Sequence, residues 1–491
     1  MKQPPQERFA ESSGPSPAHM ALMYGVMIVG AIVLFLTVDS CGEGLVAPGP
    51  GPPGARDSAT VGGKPDALVH VLVALTAVLL MGRLLSLLFL CVRQPPVIGE
   101  VIGGILLGPS VLGRLWPEAA AFVLPPSVAP FLGVIAHLGV ILYMFLVGLE
   151  LSPAVLSERA HATVAISHAS IIVPFLLGAT MSLLLYPRLS SSDVSFTSFA
   201  LFVGVAMSIT AFPVLARILT DQRMQRTQMG IIALGCAATD DLTAWCLLAL
   251  VVGVVQAKMG GAFLVLGLTA AFLAIMLLVV RPVVARLLAR LGETQLTPGV
   301  VALVFAAVMV SALTTEWIGI HTIFGAFLLG AIIPHDSVVA RAFPKKMGEL
   351  VTVLLLPAFF AFTGMRTRIG LVSGLEHWLI CGLIIAVATA GKFGGALLAA
   401  RLTGLGWRES AVLGILMNTR GLMELIVLNI GLDLNVISPT LFAMMVLMAL
   451  VTTTATTPVL QWLTPGSSPS AHAGLVWHGE WAVHDAPGPT P

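Results

Sequence analysis

The sequence predicts an all-α polytopic membrane protein, on three observations. The chain is 57% hydrophobic and only 10% charged, whereas a soluble domain carries about 25% charged residues. Apolar runs of 18 residues or more recur along it, and about 20 suffice to cross a bilayer. The short segments of alternating polarity that mark membrane β-barrels are absent. The same composition excludes other classes. A formal net charge of +1 without basic stripes gives no reason to expect a nucleic-acid partner. The five cysteines, Cys41, Cys91, Cys236, Cys246 and Cys381, contain no C-x-x-C pair, and four lie in or beside apolar runs. They read as small core residues and not as a disulfide or zinc framework. No soluble domain or nucleophile constellation is visible, so the chain is not read as an enzyme, and no cofactor is expected.

Residues 1–19 are polar and Pro-rich and read as disordered. Residues 20–38 form an extra transmembrane helix or uncleaved signal anchor, since Asp39-Ser40-Cys41 is a poor cleavage site. Residues 39–66 are Gly/Pro-rich and read as an exposed loop. Thirteen further spans are read at about 67–92, 95–113, 129–152, 162–186, 195–219, 227–256, 261–289, 297–317, 319–334, 348–367, 376–402, 409–432 and 436–462. Residues 463–491 read as a disordered cytoplasmic tail. Placing the first residues in the cytoplasm puts most loop Lys and Arg there, including Arg223, Arg226, Arg341, Lys345 and Lys346. That bias orients both termini inside.

One span carries a central pair of carboxylates, Asp240 and Asp241. Each costs roughly 2.5–3.5 kcal/mol at a helix centre on insertion scales, a cost usually linked to an ion or proton pathway. Neighbours on a helix point about 100° apart, so the two cannot share one face. One can meet a cation while the other is paired. Lys392 is the lone charge at the centre of span 376–402. A buried lysine keeps its proton best beside a carboxylate, and Asp240 is the expected partner. Two other spans are interrupted. Ser208-Ile209-Thr210-Ala211-Phe212-Pro213 lies within one, and Pro213 removes a backbone hydrogen bond. Asn418-Thr419-Arg420-Gly421 lies similarly in another. Paired interruptions in two halves point to a transporter of inverted repeats, although no clean sequence repeat is apparent by eye. Arg420 and Glu424, four apart, are placed to pair and to stabilise the unwound segment.

Several stretches together resemble the cation:proton antiporter-2 family. They are Pro95-Pro96-Val97-Ile98-Gly99-Glu100, Phe145-Leu146-Val147-Gly148-Leu149-Glu150, Ser208 to Pro213, Thr239-Asp240-Asp241, and Asn418-Thr419-Arg420-Gly421-Leu422-Met423-Glu424-Leu425. The resemblance covers about residues 67–462. It implies about 13 transmembrane helices, with two crossed discontinuous helices in a mobile core (about 162–256 and 376–462) and a dimerisation side (about 67–152 and 296–370). It also implies a homodimer working by an elevator movement. Electrogenic members carry paired Asp residues and a lysine on the partner helix, and Asp240, Asp241 and Lys392 match those places. The extra N-terminal span departs from the family pattern.

The expected function is therefore exchange of a monovalent cation, Na⁺ favoured and K⁺ or Li⁺ possible, for protons across a bacterial cytoplasmic membrane. The cation and proton site is read as Asp241 and Asp240, with the Thr210 hydroxyl and a freed carbonyl or hydroxyl at Ser208. Glu100, Glu150 and His137 are read as structural, and Arg341, Lys345 and Lys346 as cytoplasmic anchors. A sodium-coupled symporter of an organic anion and a cation channel are the alternatives.

Overall fold

The computed structural model describes residues 17–42, 44–45, 66–92, 94–150, 160–222, 224, 227–256, 262–291 and 296–464. Most of the expected disordered N-terminus, of the 39–66 loop and of the tail lies outside these residues, as do Arg223 and Arg226. The described residues are helical, with no strand. In chain order the helices are α1 (Pro17–Gly42), α2 (Asp66–Cys91), α3 (Pro96–Leu107), α4 (Leu112–Leu115), α5 (Pro117–Val123), α6 (Ala129–Glu150), α7 (Ala160–Leu189), α8 (Phe196–Ser208), α9 (Phe212–Asp221) and α10 (Gln228–Gln256). They continue as α11 (Ala262–Ile275), α12 (Arg281–Leu291), α13 (Pro298–Ile318), α14 (Thr322–Ile332), α15 (Val338–Leu350), α16 (Leu356–Arg366), α17 (Gly374–Leu402), α18 (Trp407–Met417), α19 (Leu422–Asp433) and α20 (Pro439–Leu463). Among the described residues, eleven helices are long and apolar enough to cross a membrane, or twelve with the bent pair α18–α19. Two shorter apolar helices are α8 and α14. This is an integral membrane protein.

Side-chain caps set several helix starts. Ser195 accepts from the Ser198 amide, Thr297 from Val300 and Ser438 from Leu441. Proline follows Thr297 and Ser438 at the first helical position, where its missing N–H costs nothing. Several boundaries differ from the sequence reading: α1 takes in residues 17–19, read as disordered, and 39–42, read as loop, and α3 ends at Leu107 within the span read at 95–113. The span read at 348–367 is preceded by ten more helical residues, because Ser337 caps α15 by accepting from the Ala340 amide. α15 joins α16 through a π-helical turn at Val351–Leu355. Arg341, Lys345 and Lys346 thus lie on a helix and not in a loop.

The helices pack as two groups. α2, α3, α6 and α13–α16 pack on one another, and α7–α10 pack with α17–α20, with α1 against α7 and α8. Contacts in the first group recur in pairs. α2 packs on α3 as α13 packs on α14, and α3 packs on α16 as α14 packs on α6. Glycines explain the closeness. A Cβ on Gly364 would fall 2.5 Å from Gly104 C, and one on Gly330 would fall 2.3 Å from Phe145 O. Gly99-x4-Gly104 on α3 is matched by Gly325-x4-Gly330 on α14, a short repeat that only the packing makes noticeable.

The second group holds both interruptions. Backbone helicity stops at Ile209–Ala211 between α8 and α9, and at Asn418–Gly421 between α18 and α19, where the chain bends by 44°. The two unwound segments meet: the Ala211 N–H donates to Thr419 O at 2.9 Å. Unwound backbone at membrane depth must find partners within the protein, and each segment here supplies one to the other.

Candidate functional site

Asp240 sits on α10 with no exposed surface and is bonded from four sides. Ser167 and Ser170 on α7 donate to Oδ1 at 2.5 Å and Oδ2 at 2.8 Å. Thr210 of the α8–α9 break donates to Oδ2 at 2.8 Å. Lys392 Nζ on α17 donates to the same oxygen at 2.9 Å, with both side chains fully buried. Small residues let α17 come this close. A Cβ on Gly391 would lie 2.9 Å from Pro174 Cα, and one on Gly395 2.8 Å from Ala169 O. The Gly391-Lys392 sequence therefore lays the lysine against α7 and α10.

Asp241, the next residue, has the opposite environment. It is 3% exposed, and neither carboxylate oxygen accepts a well-formed hydrogen bond; the donor that lies toward it is the Phe212 backbone N–H at the start of α9. Its side chain faces a cavity of about 10 Å³, close to the least volume that holds one water molecule. Ile209, Ala244, Trp245, Met423 and Val427 form the rest of the wall. Ile209 is in the α8–α9 break and Met423 opens α19, so both interrupted helices reach the cavity. Trp245 carries the wall across to the other helix group, with its ring 5.5 Å from Phe324 and 6.1 Å from Phe327 on α14. An ionised carboxylate left unpaired in such a place is costly, so it must be neutralised by a bound proton or a bound cation.

Ser208 and Thr210 do not point into this cavity as free ligands. The Ser208 hydroxyl donates to Val205 O of its own helix at 2.8 Å. The Thr210 hydroxyl is taken up by Asp240 and, at 3.2 Å, by Met417 O. Arg420 and Glu424 pair at 3.1 Å, both fully buried. The same guanidinium donates to Ala206 O at 3.2 Å and Met207 O at 2.7 Å, the carbonyls at the end of α8. A cation there complements the negative end of the helix dipole. Thr453 on α20 accepts from the Arg420 N–H at 3.0 Å and donates to Arg420 O at 2.6 Å, which satisfies the unwound backbone. Glu100 accepts from Ser86 at 3.3 Å, away from the cavity, and the side chain of Glu150 lies outside the described residues.

Sequence reasoning missed Ser167, Ser170 and Thr453. A signal was present: Ser167 and Ser170 are three apart, hence on one face of a mainly apolar helix. Thr453 sits in the threonine-rich run Thr452-Thr453-Thr454.

Comparison with known proteins adds the following. Residues 74–464 match the family model described as sodium/hydrogen exchanger, transmembrane. The Na⁺/H⁺ antiporter NhaS4 of Synechocystis sp. is 43% identical over 80% of this chain and 97% of its own length. Cation/H⁺ antiporter 17 of Arabidopsis thaliana is 40% identical over 85% of this chain, which spans only 52% of that protein. K⁺/H⁺ antiporter 1 of Saccharomyces cerevisiae is 32% identical over 79% of this chain and 46% of its own length. Among solved structures, the sodium proton antiporter MjNhaP1 of Methanocaldococcus jannaschii superposes with a TM-score of 0.59, covering 80% of this chain and 96% of that one at 15% identity. That likeness is one of fold. Family model, relatives and helical architecture agree, and the chain belongs to the transmembrane sodium/hydrogen exchanger family.

Proposed function

We propose that the protein is an antiporter that exchanges a monovalent cation for protons, with Asp241 as the group that carries either one. The observation behind this reading is the contrast between adjacent carboxylates: Asp240 is satisfied by four donors, while Asp241 is buried, unpaired and open to a water-sized cavity. A single carboxylate that must be neutral, and that can take a proton or a cation but not both, gives exchange without further machinery. Either ligand lowers the cost of moving the site across the membrane.

Na⁺ is the favoured cation, because the 43% identical relative is a Na⁺/H⁺ antiporter. K⁺ follows, on the name of the yeast relative. The cycle is electrogenic. Cation binding draws Asp240 from Lys392, the lysine then loses a proton, and Asp241 exchanges a second. The protein works as a homodimer in the bacterial cytoplasmic membrane with both termini inside. Its α7–α10 and α17–α20 group moves as an elevator against the other helices, and the Trp245 contact with α14 lies on the surface that would slide.

Purified protein in proteoliposomes, given Na⁺, K⁺ and Li⁺ in turn, tests the reading. Cation-dependent proton flux is expected, and Asp241→Asn should abolish it while the protein still inserts. Normal exchange by that variant would remove Asp241 from the mechanism. A reversal potential that corresponds to one proton per cation would remove electrogenicity alone.

A further inference from the structure

Asp241 supplies every side-chain oxygen of the cavity it faces. Ile209, Ala244 and Val427 are aliphatic, and Met423 offers only a thioether, a weak acceptor. The hydroxyls of the α8–α9 break are spent elsewhere, Ser208 on Val205 O and Thr210 on Asp240. The Phe212 N–H that lies toward Asp241 is a donor and cannot coordinate a cation. Among side chains, a cation in this cavity therefore meets one carboxylate, hydrocarbon, and the indole of Trp245.

Trp245 is the wall residue suited to positive charge. Of the aromatic side chains, tryptophan attracts a cation over its ring best, within about 6 Å of the centroid and most strongly where water is excluded. Trp245 follows Asp241 by four residues on α10, so the two side chains share one face of the helix. It is 4% exposed. Its ring packs against two rings of α14, Phe324 at 5.5 Å and 85° and Phe327 at 6.1 Å and 33°. Edge-to-face pairing of this kind has a specific geometry, and it holds the indole beside the carboxylate.

The size of the cavity sharpens the consequence. At about 10 Å³ it has room for one water-sized particle and not for an ion with its hydration shell. A bare K⁺ is close to a water molecule in size. Na⁺ and Li⁺ are smaller and hold their water more tightly. An aromatic face has no lone pair for a small ion to draw in closely, so it offsets the modest dehydration cost of a large ion better than the higher cost of a small one. We propose that Trp245 is a specificity-determining residue, its ring forming the second part of the cation site beside Asp241 and favouring K⁺ over Na⁺ and Li⁺. The ring's contribution runs against the Na⁺ preference proposed above and narrows it. The inference rests on Asp241 being the cation site of an antiporter.

The test compares ions on the full chain. In proteoliposomes at one fixed pH, Trp245→Leu should raise the KM for K⁺ and Rb⁺ severalfold more than that for Na⁺ or Li⁺, and Trp245→Phe should fall between. Because Trp245→Leu also changes the packing against α14, a second series keeps the shape. Tryptophans with one, two and three ring fluorines, incorporated at position 245 alone, weaken the negative face of the ring with little change in size. The logarithm of the KM ratio of K⁺ to Na⁺ should rise with each fluorine while the melting temperature in detergent stays the same. A ratio constant across the fluorinated series overturns the proposal and leaves Trp245 as ordinary packing. Absence of cation-dependent proton flux in wild type overturns the antiport reading instead. The ring is then decided in detergent by the rise in melting temperature that K⁺ and Na⁺ each produce: a K⁺ effect that weakens with fluorination supports it, and one that does not overturns it.

Discussion

The Lys392 ammonium lies 2.9 Å from the Asp240 carboxylate, and neither side chain has any exposed surface. Breaking such a pair by removing one partner costs about 3–5 kcal/mol, because the other charge is left uncompensated. Lys392→Ala should therefore lower stability by about that much. Adding Asp240→Asn to it should recover part of the loss. Thermal unfolding of the purified variants in detergent checks both, and an additive double variant would show that the pair is not coupled.

The serines on α7 should cost less than the lysine. Ser170→Ala removes a donor to a charged acceptor, worth about 1.5–3 kcal/mol, while Ser167, Thr210 and Lys392 remain. The same melting assay should rank Ser170→Ala between wild type and Lys392→Ala.

Asp241→Asn should behave differently. With no side-chain hydrogen bond to lose, and with a buried carboxyl that must take up a proton or a cation replaced by a neutral amide, it should leave the melting temperature unchanged or raise it, even as flux disappears. A fall as large as that of Lys392→Ala would mean that Asp241 has a structural partner in the folded protein.

Protons and cation should compete for Asp241. The apparent KM for the cation should then rise toward acid pH, with a limiting slope of about tenfold per unit, since one pH unit is a tenfold change in proton concentration. Asp240 is adjacent, so the apparent midpoint belongs to the pair and not to one residue. A KM constant across the active range would contradict competition. Initial-rate measurements at several fixed pH values check this.

Gly364→Ala should destabilise the contact of α3 with α16. Its Cβ would stand 2.5 Å from Gly104 C, a backbone atom that cannot swing away. Overpacking of this kind costs typically about 1–3 kcal/mol. Gly382→Ala is the control, since nothing lies within 4 Å of the added Cβ, and a helical Gly→Ala change there should be neutral or stabilising. Melting temperatures of the two variants should move in opposite directions or, at the least, differ clearly.

The sequence by itself determined the membrane-spanning helical class, because apolar length is a local property that the bilayer reads directly. It also marked the unusual positions. Asp240, Asp241, Lys392 and Arg420 stand out as charges in apolar runs, and Pro213 and Asn418-Thr419-Arg420-Gly421 mark the breaks. Local chemistry did not locate every boundary: the cap at Ser337, which begins α15, went unread. What only the tertiary structure decided is which groups meet. Ser167 is 73 residues from Asp240, Lys392 is 152 residues away, and the Arg366 and Asp433 pair is separated by 67. A step of one residue, about 100° around the helix, separates the bonded from the unbonded face, and the rotation of α10 that gives Asp240 four donors and Asp241 none is set by packing against α7, α8, α9 and α18. That rotation depends on how small residues such as Gly391 and Gly395 let helices approach, a long-range consequence that no local pattern encodes.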